Sequence, residues 1–312
     1  MDNLTIMWLV FAVTASSLFI ADIKLSAGRA HEIGTRESLK LVAFWITVAL
    51  LFGLLTGHML GRERMVEFFT GYVIEYSLSM DNMFVFLIIF NYFAVPKRYQ
   101  PKILTWGILG AVLMRLVLIF VGVGLINAFH WIIYVFGLIL IVTAVKLIMQ
   151  KDEQLDPGRN PVLHFLEKFI PFDKDLNHGN FFVKKEVWHA TPLFATLVVV
   201  ETTDLIFAVD SIPAILAISR EPFIVYTSNV FAVVGLRSLY FLLASIMDYF
   251  RFLKVGISVV LFYVGVKMML SGVYHIPALF SLGVVLGILG LSILFSLLLP
   301  PPPAPKPLPS KK

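Results

Sequence analysis

Apolar residues run through this chain in long blocks separated by short polar stretches, and block length sets the first expectation. The blocks lie at about 4–22, 40–60, 67–95, 103–127, 129–150, 190–219, 222–247, 254–274 and 277–299. Each comes near the ~20 residues that a helix needs to cross a bilayer. They are too continuous for the alternating pattern of barrel strands. Backbone polar groups in lipid must be satisfied within helices or closed barrels, so the pattern predicts an all-α polytopic membrane protein of about nine transmembrane helices. Composition agrees: 59% of residues are hydrophobic and 14% charged, against about 25% charged in soluble domains.

The blocks group into two N-terminal spans (1–65), three spans (66–150), a polar segment (151–189), three more spans (190–275), a last span (276–299) and a Pro-rich tail (300–312). Within 151–189, the amphipathic stretch VLHFLEKFI predicts a short interfacial helix. Lys and Arg divide unequally between the two sides. Eighteen fall in the loops and tail on one side; Arg62, Arg64 and Arg220 fall on the other. The positive-inside rule then predicts a cytoplasmic C-terminus and an outside N-terminus. The chain has no cysteine, which excludes disulfides and thiolate metal sites. Its basic residues are spread over many loops, which argues against nucleic acid as a partner. No GxxxxGK[ST] sequence marks a nucleotide site, and no nucleophile and base are arranged together, so no enzyme is expected.

Two acidic signatures interrupt the apolar blocks. Glu75, Asp81 and Asn82 lie in GYVIEYSLSMDNMFVF; Glu201, Asp204, Asp210 and Ser211 lie in VVVETTDLIFAVDSIPAI. In each, two carboxylates are six residues apart and an amide or hydroxyl follows the second. Ionisable groups at bilayer depth are costly and mark ion or substrate paths. Six residues turn an ideal helix by about 600° and rise ~9 Å, so Glu75 and Asp81 face different partners unless the helix opens. Pro213 supplies a device for opening, because it cannot donate to the Val209 carbonyl. Glu201 and Asp204 are one turn apart and can share a face. Oxygen ligands without thiols suit hard divalent cations such as Mn²⁺, Ca²⁺ or Mg²⁺.

The signatures belong to a longer repeat. Arg115 follows the first and Arg237 the second; Lys146 and Lys267 come next, 31 and 30 residues after the arginines. Spans three to five therefore match spans six to eight. A shift of three spans reverses orientation, which predicts an inverted-topology repeat with a midplane site at its interface. Arg115 and Arg237 are expected to pair with the acids, Asp81 and Asp210 being the first candidates. Five acids against two deep arginines leave negative charge for a cation or protons to balance. Lys146 reads as a snorkelling anchor; Lys267 reads equally as an anchor or, with Pro213, as a support to the site. Asn229 reads as a minor polar contact.

The runs DNMFVF, FAVDSIPAI, SNVFAVVGLR and VKMML, in that order, resemble the TerC/Alx family of bacterial integral membrane proteins, most closely its Alx-like branch. The resemblance covers about residues 66–299. It implies manganese export across the inner membrane, a historical link to tellurite resistance, and a metal pathway through Glu75, Asp81, Glu201, Asp204 and Asp210. Export against the membrane potential with no nucleotide site makes protons the expected coupling ion. No organic cofactor is expected. A cation channel, an exporter of another small solute and a non-transporting stress or secretion scaffold are the alternative readings.

Overall fold

The computed structural model describes residues 2–27, 35–129, 131–149, 161–168, 170–171, 173, 179–184, 187–246, 252–274 and 276–299. The Pro-rich tail, residues 151–160 and the side chains of Asp81 and Asp210 lie outside the described residues.

The apolar blocks fold as helices α1 (Asn3–Ala27), α2 (Thr35–Leu60), α3 (Arg62–Tyr92), α4 (Gln100–Ala128) and α5 (Ile132–Met149). After the polar segment come α7 (Pro192–Leu216), α8 (Pro222–Val234), α9 (Leu236–Ile246), α10 (Leu253–Leu270) and α11 (Ala278–Leu298). Among the described residues, seven helices are long and apolar enough to cross a membrane, and the α8–α9 pair makes an eighth if it is one span. The chain is an all-α polytopic membrane protein. Its start signals are ordinary ones. Prolines open α4, α7 and α8 in the first turn, where a missing N–H costs nothing. Gly61 separates α2 from α3 at φ +99°, a conformation that glycine adopts without steric penalty.

Two expectations need correction. The span predicted at 222–247 is not one straight helix: α8 and α9 meet at a 42° bend, with Gly235 as the single residue between them. Pro213, by contrast, does not interrupt α7, which continues to Leu216. Proline removes one hydrogen bond, and with the helix ending three residues later few further bonds depend on it. The break therefore falls in the helix after the second acidic signature, not within that signature.

The polar segment contributes α6 (Pro161–Glu167), within the predicted amphipathic stretch, and an antiparallel hairpin of β1 (Phe182–Lys184) and β2 (Trp188–Ala190). The hairpin was not expected from the sequence, since three-residue strands are too short to show a period of two. It sits beside the start of α4: Lys102 Nζ donates to the Gly179 carbonyl at 2.8 Å.

The buried apolar side chains form three clusters. Phe68 and Tyr72 of α3 belong to the first, Met83 and Phe86 to the second, Ile74 and Leu78 to the third. From α7, Ala208 and Ile212 join the first, Val199 and Val200 the second, and Ala214 the third. These two helices, which carry the acidic signatures, are thus the ones that reach all three clusters. Helices α1, α2, α4, α5 and α11 instead expose rows of large apolar residues, including Leu51, Val117, Leu138 and Leu297, as a lipid-facing surface requires. Helix α3 packs on α8, α7 on α4, and α5 on α10.

Candidate functional site

Where α3, α4, α7 and α8 converge, a single guanidinium gathers three partners. Arg115 of α4 is 1% exposed. Its Nη1 donates to Glu75 Oε1 of α3 and to Asn229 Oδ1 of α8 at 3.0 Å. Its Nη2 donates to Asp204 Oδ1 of α7 at 3.2 Å, and Nη2 and Nε reach Asp204 Oδ2 at 3.4 Å. The five N–H groups of an arginine form a planar fork, and here all three of its nitrogens have acceptors. On α3, Ser79 sits one turn beyond Glu75 and donates to the same Oε1 at 3.2 Å.

Glu75 and Asp204 are both ion-paired with the one arginine, so the formal charges of these three groups sum to minus one. Buried polar atoms are almost always partnered, yet among the described residues Glu75 Oε2 and Asn229 Nδ2 of this cluster find no partner, nor does Ser211 Oγ two turns further along α7. Glu201, one turn before Asp204, is half-buried and lies against Gly110 of α4. A Cβ at position 110 would collide with its carboxyl group, so the glycine makes the room that this fourth ionisable side chain occupies.

The structure thus brings together Glu75, Asp204 and Arg115, with Glu201 beside them. The described carboxylate partners of Arg115 are Glu75 and Asp204; the pairing expected with Asp81 falls on a side chain outside the described residues. Asn82 and Ser211 are buried as expected. Arg237 Nη1 donates to Thr105 Oγ1 at 3.4 Å. Lys146 is exposed in the last turn of α5, in keeping with an anchor, whereas Lys267 is buried and donates to Ser281 Oγ at 2.9 Å. Among the described residues no three carboxylate or imidazole groups form a ready metal cage.

Three participants were missed or undervalued in the sequence. Asn229 is fully buried and holds Arg115; an amide inside an apolar run was its only signal. Ser79 lies one helical turn after Glu75, a spacing that suits a side-chain contact. Gly110 gave no signal, because its role depends on α7.

A helical membrane protein with a charged cluster buried at its centre is the class that these features define. The chain belongs to the integral membrane protein TerC family, whose pattern matches residues 60–301. It is 42% identical over 293 residues to the membrane protein STKORF319 of Myxococcus xanthus, covering 94% of this chain and 92% of that one. It is 40% identical over 301 residues to a Salmonella typhi protein described as a proposed membrane-bound redox modulator, Alx, covering 93% and 94% of the two chains. A Rickettsia bellii membrane protein is 35% identical over 292 residues, covering 93% of this chain and 97% of its own length. No solved structure matches the chain significantly.

Proposed function

We propose that this chain is a secondary transporter that exports a divalent cation, Mn²⁺ first among them, from the cytoplasm in exchange for protons. The observation that carries this reading is the convergence of Glu75 and Asp204 on Arg115. These two acids stand 129 residues apart, as do Asp81 and Asp210, so they occupy matching positions in the two acidic signatures. Matching positions that meet at one point are what an inverted repeat would produce. The helix pairing supports the same reading: each acidic helix packs on the second helix of the other repeat, and the third helices pack on each other.

In this mechanism Arg115 stands in for the cargo. It holds the two carboxylates together when no cation is bound, and the excess negative charge and the spare Glu75 oxygen favour an arriving divalent ion. Glu75, Asp81, Glu201, Asp204 and Asp210 supply the charged oxygens, and Asn82 and Ser211 the neutral ones. Arg237 is the counterpart of Arg115 in the second repeat. Carboxylates crowded together disfavour their shared ionisation, so protons compete with the metal for the same oxygens. Moving two charges out of a negative interior costs about 4.6 kcal/mol per 100 mV, and inward protons supply that work. The excess of Lys and Arg on one side supports an orientation with the C-terminus in the cytoplasm of a bacterium and the N-terminus outside. The redox role in the name of the Alx relatives is not carried over, because a chain without cysteine has no thiol–disulfide chemistry.

The proton part is tested in everted vesicles, whose lumen corresponds to the cell exterior. Mn²⁺ entry is expected to be fastest into an acidic lumen and to fall several-fold when nigericin collapses the pH gradient. An entry rate indifferent to the gradient sinks proton exchange and leaves a uniporter or channel.

A further inference from the structure

A second polar site lies apart from the Arg115 cluster. A cavity of about 420 Å³ opens where the first turns of α3, the end of α7 and the last turn of α10 meet. Glu63, Glu67, Ser219, Arg220, Lys267 and Ser271 supply its polar lining. Glu67 is buried and accepts from Arg64 Nη1 and Ser219 Oγ, both at 2.8 Å. Lys267 is 9% exposed and donates to Ser281 Oγ, which also accepts from Tyr263 Oη at 3.2 Å. An ammonium has three N–H donors, so among the described residues two remain for whatever occupies the cavity.

The cavity's charge differs from that of the cluster. Two lining carboxylates, Glu63 and Glu67, stand with two lining cations, Arg220 and Lys267, and Arg64 pairs with Glu67 as well, so the chamber carries no excess negative charge. Glu67 precedes Glu75 by eight residues on α3, which places it about 12 Å along the helix from the cluster. On the other flank, the space that Asp204 shares with Met83, Phe86, Leu104, Val233 and Leu236 is only about 10 Å³, at the lower limit for one water. One side of the cluster is therefore roomy and polar, and the other is shut by apolar side chains.

We infer that this cavity is the chamber through which the cation leaves, and that Lys267 is the residue that keeps the cation from rebinding there. The inference rests on the export reading above, in which the start of α3 is the outer end. A divalent ion moving from a net-negative cluster into a charge-balanced chamber meets a buried ammonium beside the carboxylate that would otherwise hold it. Release is then favoured over return.

The test is the concentration of Mn²⁺ on the release side that halves Mn²⁺ flux in proteoliposomes. Lys267→Met is expected to lower it at least about tenfold, because the unit charge removed is itself buried in the chamber wall and so acts at short range with little screening. Lys267→Arg should stay near wild type. Glu67→Gln, which leaves the chamber net positive, should raise the half-inhibiting concentration and serves if Lys267→Met does not fold. Unchanged release-side inhibition in a transporting Lys267→Met or Glu67→Gln protein overturns the role of Lys267. Absence of any Mn²⁺ flux in the wild type overturns the export reading and this inference together.

Discussion

Arg115→Met is expected to cost about 3–5 kcal/mol of folding stability, the range for removing one partner from a buried ion pair. The variant leaves Glu75 and Asp204 buried together with no cation between them. It also removes the hydrogen-bond donor on which Asn229 Oδ1 depends. A large part of the cost is stranded charge, not lost contact. Glu75→Gln, Arg115→Met and Asp204→Asn made together remove the charge entirely, and replacing a whole buried ion cluster by neutral groups is often close to neutral in stability. Thermal unfolding in detergent should therefore show a large fall for the single variant and recovery of most of it in the triple. A single variant as stable as wild type contradicts the central role of the guanidinium.

The second large effect concerns metal binding. A ligand that binds the folded state alone stabilises it by about 2.7 kcal/mol at a hundred times its dissociation constant. Saturating Mn²⁺ should thus raise the unfolding temperature of the wild type. Glu75→Gln and Asp204→Asn should sharply reduce that rise at the same Mn²⁺ concentration while preserving the fold, because each leaves Arg115 with one carboxylate and a balanced pair. Loss of a group that supports a metal site typically costs 10–100-fold in affinity, so a shift of roughly that size or more is expected in the Mn²⁺ concentration needed. The same Mn²⁺-dependent rise in wild type and both variants places any bound metal elsewhere.

Much of this protein was legible in its sequence, for reasons that bilayers impose. Span lengths follow from hydrocarbon thickness, so the helical blocks were predicted to within a few residues for α2 and α4. Charges inside apolar runs have few uses, so Glu75, Asp204 and Arg115 stood out, and all three are buried. The choice of partners was less legible. A six-residue step fixes the angle between Glu75 and Asp81, but only the packing of α4 and α7 on α3 brings Arg115 and Asp204 to Glu75. Asn229 was undervalued because a neutral amide in a helix carries no charge to explain. The bend at Gly235 was missed because a lone glycine costs a helix only about 1 kcal/mol, whereas Pro213 drew attention and left α7 continuous. The cavity around Lys267 joins residues from the start of α3 and the end of α10, about two hundred positions apart, beyond the reach of local pattern.

The central claim is that the buried carboxylates of the two matching signatures carry Mn²⁺. Its most direct test is the initial rate of Mn²⁺ flux in proteoliposomes, comparing wild type with Asp81→Asn and Asp210→Asn at matched folding and reconstitution. Saturable flux in the wild type, lost in both variants, is the predicted result. Equal flux in all three, or none in the wild type, contradicts it.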